Sequence, residues 1–417
     1  MKEKEMLPKP KPVEEIDISE KHTKLKIFIV IVAVIVALVS FGIGITTCLS
    51  EKKGWKTLTV ETVAESCAGD FVCYYYLDKS GTGGRKHLNS VKDDYAEACY
   101  YAYRIFNATT EFEGFTNLAT LNKNVNTEVR VDSNLYSAFT LMGESGSRAL
   151  YLAPVYSYYY DLFFAYDETS AALNDPNKNA DVAEAFTKIL SYANSDEHIN
   201  LELFGENKVR LNVSAEYKSF IESEYFGVYL DFFILKNAFI IDYISDFMTE
   251  RDHGVLLSSF DGYMRSSLND DKTYSLNVFD LDGNYENLAA RVTGSGKISA
   301  ARFKDYTTSK AQYDYFYTYS DGATVTPYLS ENGLNSSCIH DLVTYSYTLS
   351  CAEVMLKSLP VYTAEEFSEE SISDLKAAKI YSMYCESFEV IYNDPSIEDG
   401  IELVTSKEYE YKKRYID

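Results

Sequence analysis

Asp231 and Lys236 stand five positions apart in GVYLDFFILKNAFIIDYISDFM, residues 227–248, a stretch that is otherwise almost wholly apolar. An acid and a base kept there need a reason, because a charge among apolar neighbours is costly unless something answers it. The stretch also changes period. Phe226, Val228, Leu230 and Phe232 alternate with Gly227, Tyr229, Asp231 and Phe233, the spacing of a strand. From Leu235 the apolar positions become Leu235, Ala238, Phe239, Ile241, Ile244 and Phe247, the spacing of a helix. Asp231 is thus expected near a strand end and Lys236 near a helix start, where side chains converge on whatever lies beyond the strand tips.

Other chemistry fails on spacing. GSGKIS (294–299) would end a phosphate loop only with glycine at 291, which is Arg291. DLDGNYE (280–286) puts Gly283 at the wrong place for an EF-hand and reads as a turn. SGTGGRK reads as a hairpin tip, and GESGS around Ser145 is not a nucleophile elbow. His87, His198, His253 and His340 show no metal-ligand spacing, so no metal-binding residues are assigned. Cys67, Cys73, Cys99, Cys338, Cys351 and Cys385 contain no C-x-x-C and read as buried or partly paired thiols. The 37 tyrosines beside a single tryptophan suit core and edge positions, with a tyrosine-rich surface adhesin as the remoter reading.

The elements that must position these residues form a mixed α+β domain. The net charge of -24 excludes nucleic acid as a partner. Residues 1–26 read as a disordered cytoplasmic tail. Residues 27–50 carry no charge and would reach about 36 Å as a helix, enough for a transmembrane anchor. Flanking lysines, with Lys9 and Lys11, place the N-terminus in the cytoplasm and the main domain outside, at the cell membrane. A lipoprotein reading at Cys48 stands beside this, although the threonine before it is unusual. Residues 51–65 read as a linker, 66–400 as one extracytoplasmic domain and 401–417 as a charged tail. Within the domain, CAGDFVCYYYL (67–77) reads as a strand, 78–87 as a turn, 90–106 as a helix and TTEFEGFTNLATLNKN as irregular. Asp132 or Ser133 caps a helix, and DVAEAFTKILSYANS is another. INLELFGENKVRLNV reads as a hairpin, and LVTYSYTLSCAEVMLKSL as a strand followed by a helix.

The order of these segments resembles the FAD:protein FMN transferase (ApbE-type) family over most of 66–360. CAGDFVCYYYLD resembles its opening strand, with Gly69 at the glycine of M-G-T. In FEGFTNLATLNKN, Asn122 matches the asparagine of S-x-x-x-x-L-N. YLDFFILKNAFIID is similar to D-x-G-G-I-A-K-G, with Asp231 and Lys236 at the acid and the lysine. GVLLSSFDG resembles a strand ending in G-G-D, with Asp261 at the acid. Thr308, Ser309 and Tyr313 match T-S-G-x-Y. The resemblance implies a membrane-anchored transferase that uses magnesium to split FAD and attaches FMN to Ser or Thr of an extracytoplasmic redox partner. It makes FAD the expected cofactor and these eight residues its expected contacts.

The departures count against transfer chemistry. Phe232 and Phe233 replace family glycines, Pro327 the histidine, and Cys351 and Met355 the Asp and Thr that would hold magnesium. A thiol and a thioether are soft ligands, so magnesium is doubtful and no catalytic residue is assigned. Two readings remain open: a flavin transferase with altered metal ligands, or a pseudoenzyme of the same fold that binds flavin or another protein. DGAT (321–324) resembles an acceptor motif but has aspartate where a hydroxyl residue is needed.

Overall fold

Alternating burial in Phe71–Leu77 and continuous burial in Asp341–Ser346 mark an edge-near and a central strand of one sheet. The protein, seen in a computed structural model, is described at residues 31–32, 50–61, 64–224, 226–282, 285–307, 315–405 and 409–417. The chain divides into two compact units, Met1–Lys53 with Asp78–Lys86, and Gly54–Leu77 with His87–Asp417. In the first, Glu51 and Gly81 exchange backbone hydrogen bonds of 2.8 and 3.1 Å. The second holds the sheet and the residues of the candidate site.

Among the described residues the sheet has nine strands. Their order is Gly54–Leu58, Phe71–Leu77, Val255–Ser259, Tyr263–Ser267, Lys297–Lys304, Asp341–Ser346, Tyr381–Glu386, Glu389–Tyr392 and Lys412–Tyr415. Neighbours are antiparallel except the last pair, which is parallel. Helices Lys236–Thr249 and Cys351–Tyr362 pack on one face, and the largest core lies there. A second core lies between the sheet and a three-stranded ribbon, Thr273–Asp282, Tyr285–Ser295 and Ile401–Leu403, around Val278, Ile298, Val343 and Met383. Much of the tyrosine content is core: Tyr95, Tyr159, Tyr217, Tyr263, Tyr328, Tyr345, Tyr362, Tyr384 and Tyr392 are fully buried.

Local patterns translate directly where they are self-contained. Asp132 caps Ser133–Ser145 by accepting from the Asn134 amide, and Gly146 ends that helix at φ 70°. Ala180–Ala193 is a helix, and Ile199–Leu203 pairs with Lys208–Val213 as a hairpin. Other expectations need correction. Residues 51–65 are not only a linker, because Gly54–Leu58 pairs with Phe71–Leu77. The expected tail 401–417 supplies two strands, Ile401–Leu403 and Lys412–Tyr415. The expected turn 78–87 enters a helix at Gly81, and the irregular segment contains the short helix Leu118–Lys123, boxed by Asn117 and Thr120. All six thiols among the described residues are free. Among the described residues no helix is long and apolar enough to cross a membrane; the stretch 27–50 lies almost wholly outside them.

The strand expected at residues 226–232 is not one. Among the described residues no neighbouring strand pairs with its backbone; a side chain does. Asn122, nearly inaccessible, accepts from the amides of Tyr229 (3.1 Å) and Leu230 (2.8 Å). Its Nδ2 donates to the carbonyls of Leu230 and Ala108, each at 2.9 Å. The Asp231 amide then reaches the Leu150 carbonyl at 3.1 Å. Asn122 therefore satisfies a buried segment that no ladder reaches, as buried backbone requires. Replacing Asn122 with alanine strands these groups and is expected to lower unfolding stability by about 3 kcal/mol. Equilibrium urea unfolding reads this as a lower midpoint at unchanged slope; a midpoint within experimental scatter of wild type would show the clamp to be dispensable.

Candidate functional site

Past the clamp the chain turns through Phe233–Leu235, a single 3-10 turn, into the helix Lys236–Thr249. Phe233 sits at φ 54°, in the left-handed region that a bulky side chain rarely adopts. Such a conformation costs on the order of 1–2 kcal/mol. The Asp231 Oδ1 holds it by accepting from the Phe233 amide at 2.8 Å. Burial pushes the Asp231 carboxyl above the usual carboxylate range, while nearby Lys236 and that amide pull it back.

Lys236 opens into a cavity of about 220 Å³ lined also by Asp70, Tyr160, Phe163, Phe233, Tyr315 and Pro327. Among the described residues Lys236 makes neither an ion pair nor a side-chain hydrogen bond. The Asp231–Lys236 ion pair that would merely fix the crossover is thus not formed at contact distance. The Lys236 amide points back to the carbonyls of Phe233 and Ile234, so the positive charge offered here comes from the side chain.

Behind the cavity lies a buried polar chain. Tyr315 donates to Asp70 at 2.6 Å, and the Asn237 amide donates to Asp261 Oδ2 at 2.9 Å. Asp261 is inaccessible, and among the described residues its Oδ1 has no hydrogen bond of ordinary geometry. Burial pushes its pKa up to about 7; bonds from Ser259 and Asn237 oppose the rise and Asp70 adds to it. The turn after it needs Gly262, at φ 104°, because a Cβ there would stand 2.1 Å from the Arg302 carbonyl oxygen.

The structure brings Asp231, Lys236 and Asp261 to one region. Asn122 joins them through backbone, with its hydrogen-bonding positions occupied, so it positions the segment. Gly69 is exposed, while its neighbour Asp70 lines the cavity. Thr308, Ser309 and Tyr313 lie outside the described residues; the cavity is reached by Tyr315. Asp70 and Tyr315 adjoin quoted motifs and could have been found from them. Tyr160 carries no local signal. A larger groove of about 540 Å³ beside Cys351–Tyr362, lined by Glu144, Glu353, Lys357 and Asp374, contains none of the expected residues.

Cys351 and Met355 are completely buried. The Cys351 thiol faces the Ala300 carbonyl at 3.4 Å. Its amide and that of Ala352 are capped by Asp242 at 2.8 and 2.9 Å, and Arg265 pairs with the same carboxylate. The opening of that helix is therefore already satisfied by protein groups.

No protein-family model and no curated protein matches the chain. Solved structures do. The ApbE protein of Thermotoga maritima superposes with a TM-score of 0.53 at 12% identity, covering 84% of this chain and 96% of that one. The flavin transferase ApbE of Vibrio cholerae gives 0.52 at 10% identity, covering 85% and 98%. The chain has the mixed α+β fold of the ApbE flavin transferases.

Magnesium does not fit the residues present. It wants hard oxygen donors, and the expected positions hold a buried thiol and thioether. Among the described residues no group of three His, Cys, Asp or Glu could hold a metal ion. FAD fits in chemistry but not in size. Aromatic walls and an ammonium that has no partner among the described residues suit a flavin ring and a phosphate, yet the cavity falls below the roughly 300–1,000 Å³ of ligand pockets.

Asp261 makes stability depend on pH. Its folded value of about 7 exceeds the unfolded value of about 3.9, so the folded state holds the proton more tightly. Its contribution is full below about pH 4 and is lost as pH rises towards 7, by up to about 4 kcal/mol. Urea midpoints measured from pH 4 to 8 are expected to decline less in Asp261→Asn than in wild type. Parallel declines would show that Asp261 titrates normally.

Proposed function

We propose that this protein uses the flavin-transferase fold to bind a flavin without splitting FAD. The observation that carries the reading is Cys351, a buried thiol facing a backbone carbonyl where the resemblance puts a magnesium ligand. Without a metal, a diphosphate lacks the bridging divalent cation that would neutralise it and stabilise its leaving group. Pro327 offers no side-chain base at the cavity. What remains is recognition. Lys236, without an ion-pair partner among the described residues, supplies a cation for a phosphate, and Tyr160, Phe163 and Tyr315 supply aromatic surface. Asp70, held by Tyr315, offers an acceptor to polar ring edges.

Purified full-length protein mixed with FAD, magnesium and a flavin-acceptor protein is expected to leave the acceptor unlabelled, while FMN fluorescence is quenched on titration. Lys236→Ala should weaken FMN binding at least five-fold. Covalently fluorescent acceptor would establish the transferase reading instead, and an unchanged Lys236→Ala affinity would remove this lysine from the site.

The same proposal places the domain outside the cell membrane, anchored by residues 27–50. Its support is the uncharged length of that stretch and the lysines around it. The full chain is expected to stay with membranes through alkaline carbonate washing, and protease added to intact cells should reach the main domain. Release by the wash would refute the anchor.

A further inference from the structure

We infer that the Phe233 side chain is a built-in occupant of the flavin slot, which a planar aromatic ligand must displace to bind. The helix Ala153–Phe163 presents Tyr156, Tyr160 and Phe163 on one face, at spacings of four and three residues. The Phe233 ring lies against that face as a ligand ring would. It is stacked on Tyr156 at 4.5 Å and 9°, parallel to Phe163 at 6.3 Å and 12°, and met edge-on by Tyr160 at 5.1 Å and 81°.

Two features separate this from ordinary core packing. The ring is brought there by a backbone at φ 54°, a conformation suited to glycine rather than phenylalanine. It also borders the cavity lined by Lys236 and Asp70. A strained residue persists only where its surroundings over-determine it, and such residues gather at ligand sites. Here the Asp231 carboxylate and the aromatic face supply that determination. Without the ring, its place on the aromatic face would extend the cavity it borders into one longer slot.

The consequence is a tax on binding. A ligand that enters only when Phe233 has left binds with an affinity reduced by the fraction of molecules in which the slot is free. The flavin identity of the ligand rests on the function proposed above; the displacement does not. Phe233→Gly suits the backbone and empties the slot, and Phe233→Ala empties it while keeping a side chain at the strained position. Titrate full-length wild type and both variants with FMN and with lumichrome, a neutral tricyclic ring, checking folding by circular dichroism. At least ten-fold tighter binding of both ligands by Phe233→Gly is expected, with Phe233→Ala read in its place if the glycine variant does not fold. A gain for lumichrome with no FMN binding by any protein keeps the displaced ring and removes the flavin phosphate reading. No gain for either ligand, or weaker binding, means that Phe233 is a wall of the pocket and overturns the inference, whatever the wild type binds.

Discussion

One amide side chain lets a buried, strand-like sequence exist outside a sheet. Asn122 uses two donors and two acceptor positions to pair the backbone around Tyr229 and Leu230. That pairing frees the segment from a ladder and lets it turn sharply after Leu230. Asp231 can then accept the Phe233 amide, and Lys236 can face the cavity. Asn122 touches nothing in that cavity, yet the acid, the strained aromatic and the lysine all take their positions from it. The loss of one such partner in the interior is expensive because every group it serves is cut off from water.

Burial sets the electrostatics of several polar groups in the interior. Asp231, Asp242 and Asp261 are all raised above the carboxylate range, and in each case desolvation is the leading cause. Asp242 meets this by capping two amides and an arginine, which makes it structural. Asp261 meets it only in part, since among the described residues its Oδ1 has no hydrogen bond of ordinary geometry. On the other side of the ledger, Lys304 is nearly inaccessible and burial lowers it to about 7, with Arg302 adding to the fall. The interior thus tolerates several groups close to neutrality, a pattern found at functional sites and in structural networks alike.

Legibility in the sequence followed locality. The Asp132 cap, the helix Ala180–Ala193, the hairpin at 199–213 and the strand–helix pair around Cys351 are each fixed by neighbours in the chain, and each could be read from spacing. The alternation at 226–232 had the period of a strand but no strand to pair with, which only the distant Asn122 could reveal. Gly54–Leu58 and Lys412–Tyr415 are short edge strands, and Lys412, Lys413 and Tyr415 remain exposed, so polar composition hid them. At the site, Asp231, Lys236 and Asp261 were legible through the resemblance. Tyr160 was not, because its place depends on how a remote helix packs.

The sheet's two borders come from distant parts of the sequence. Gly54–Leu58 closes one border and Lys412–Tyr415 the other, the latter lying parallel to Glu389–Tyr392. Most of the central strands also pair across long sequence separations. During synthesis the second border therefore stays open until residues 412–415 emerge, with a row of unpaired amides and carbonyls exposed meanwhile. Assembly of this kind is slow and prone to association with other chains. The three cationic side chains of that closing segment, Lys412, Lys413 and Arg414, with the hydroxyl-bearing Tyr415 beside them, then guard the finished border against further strand addition.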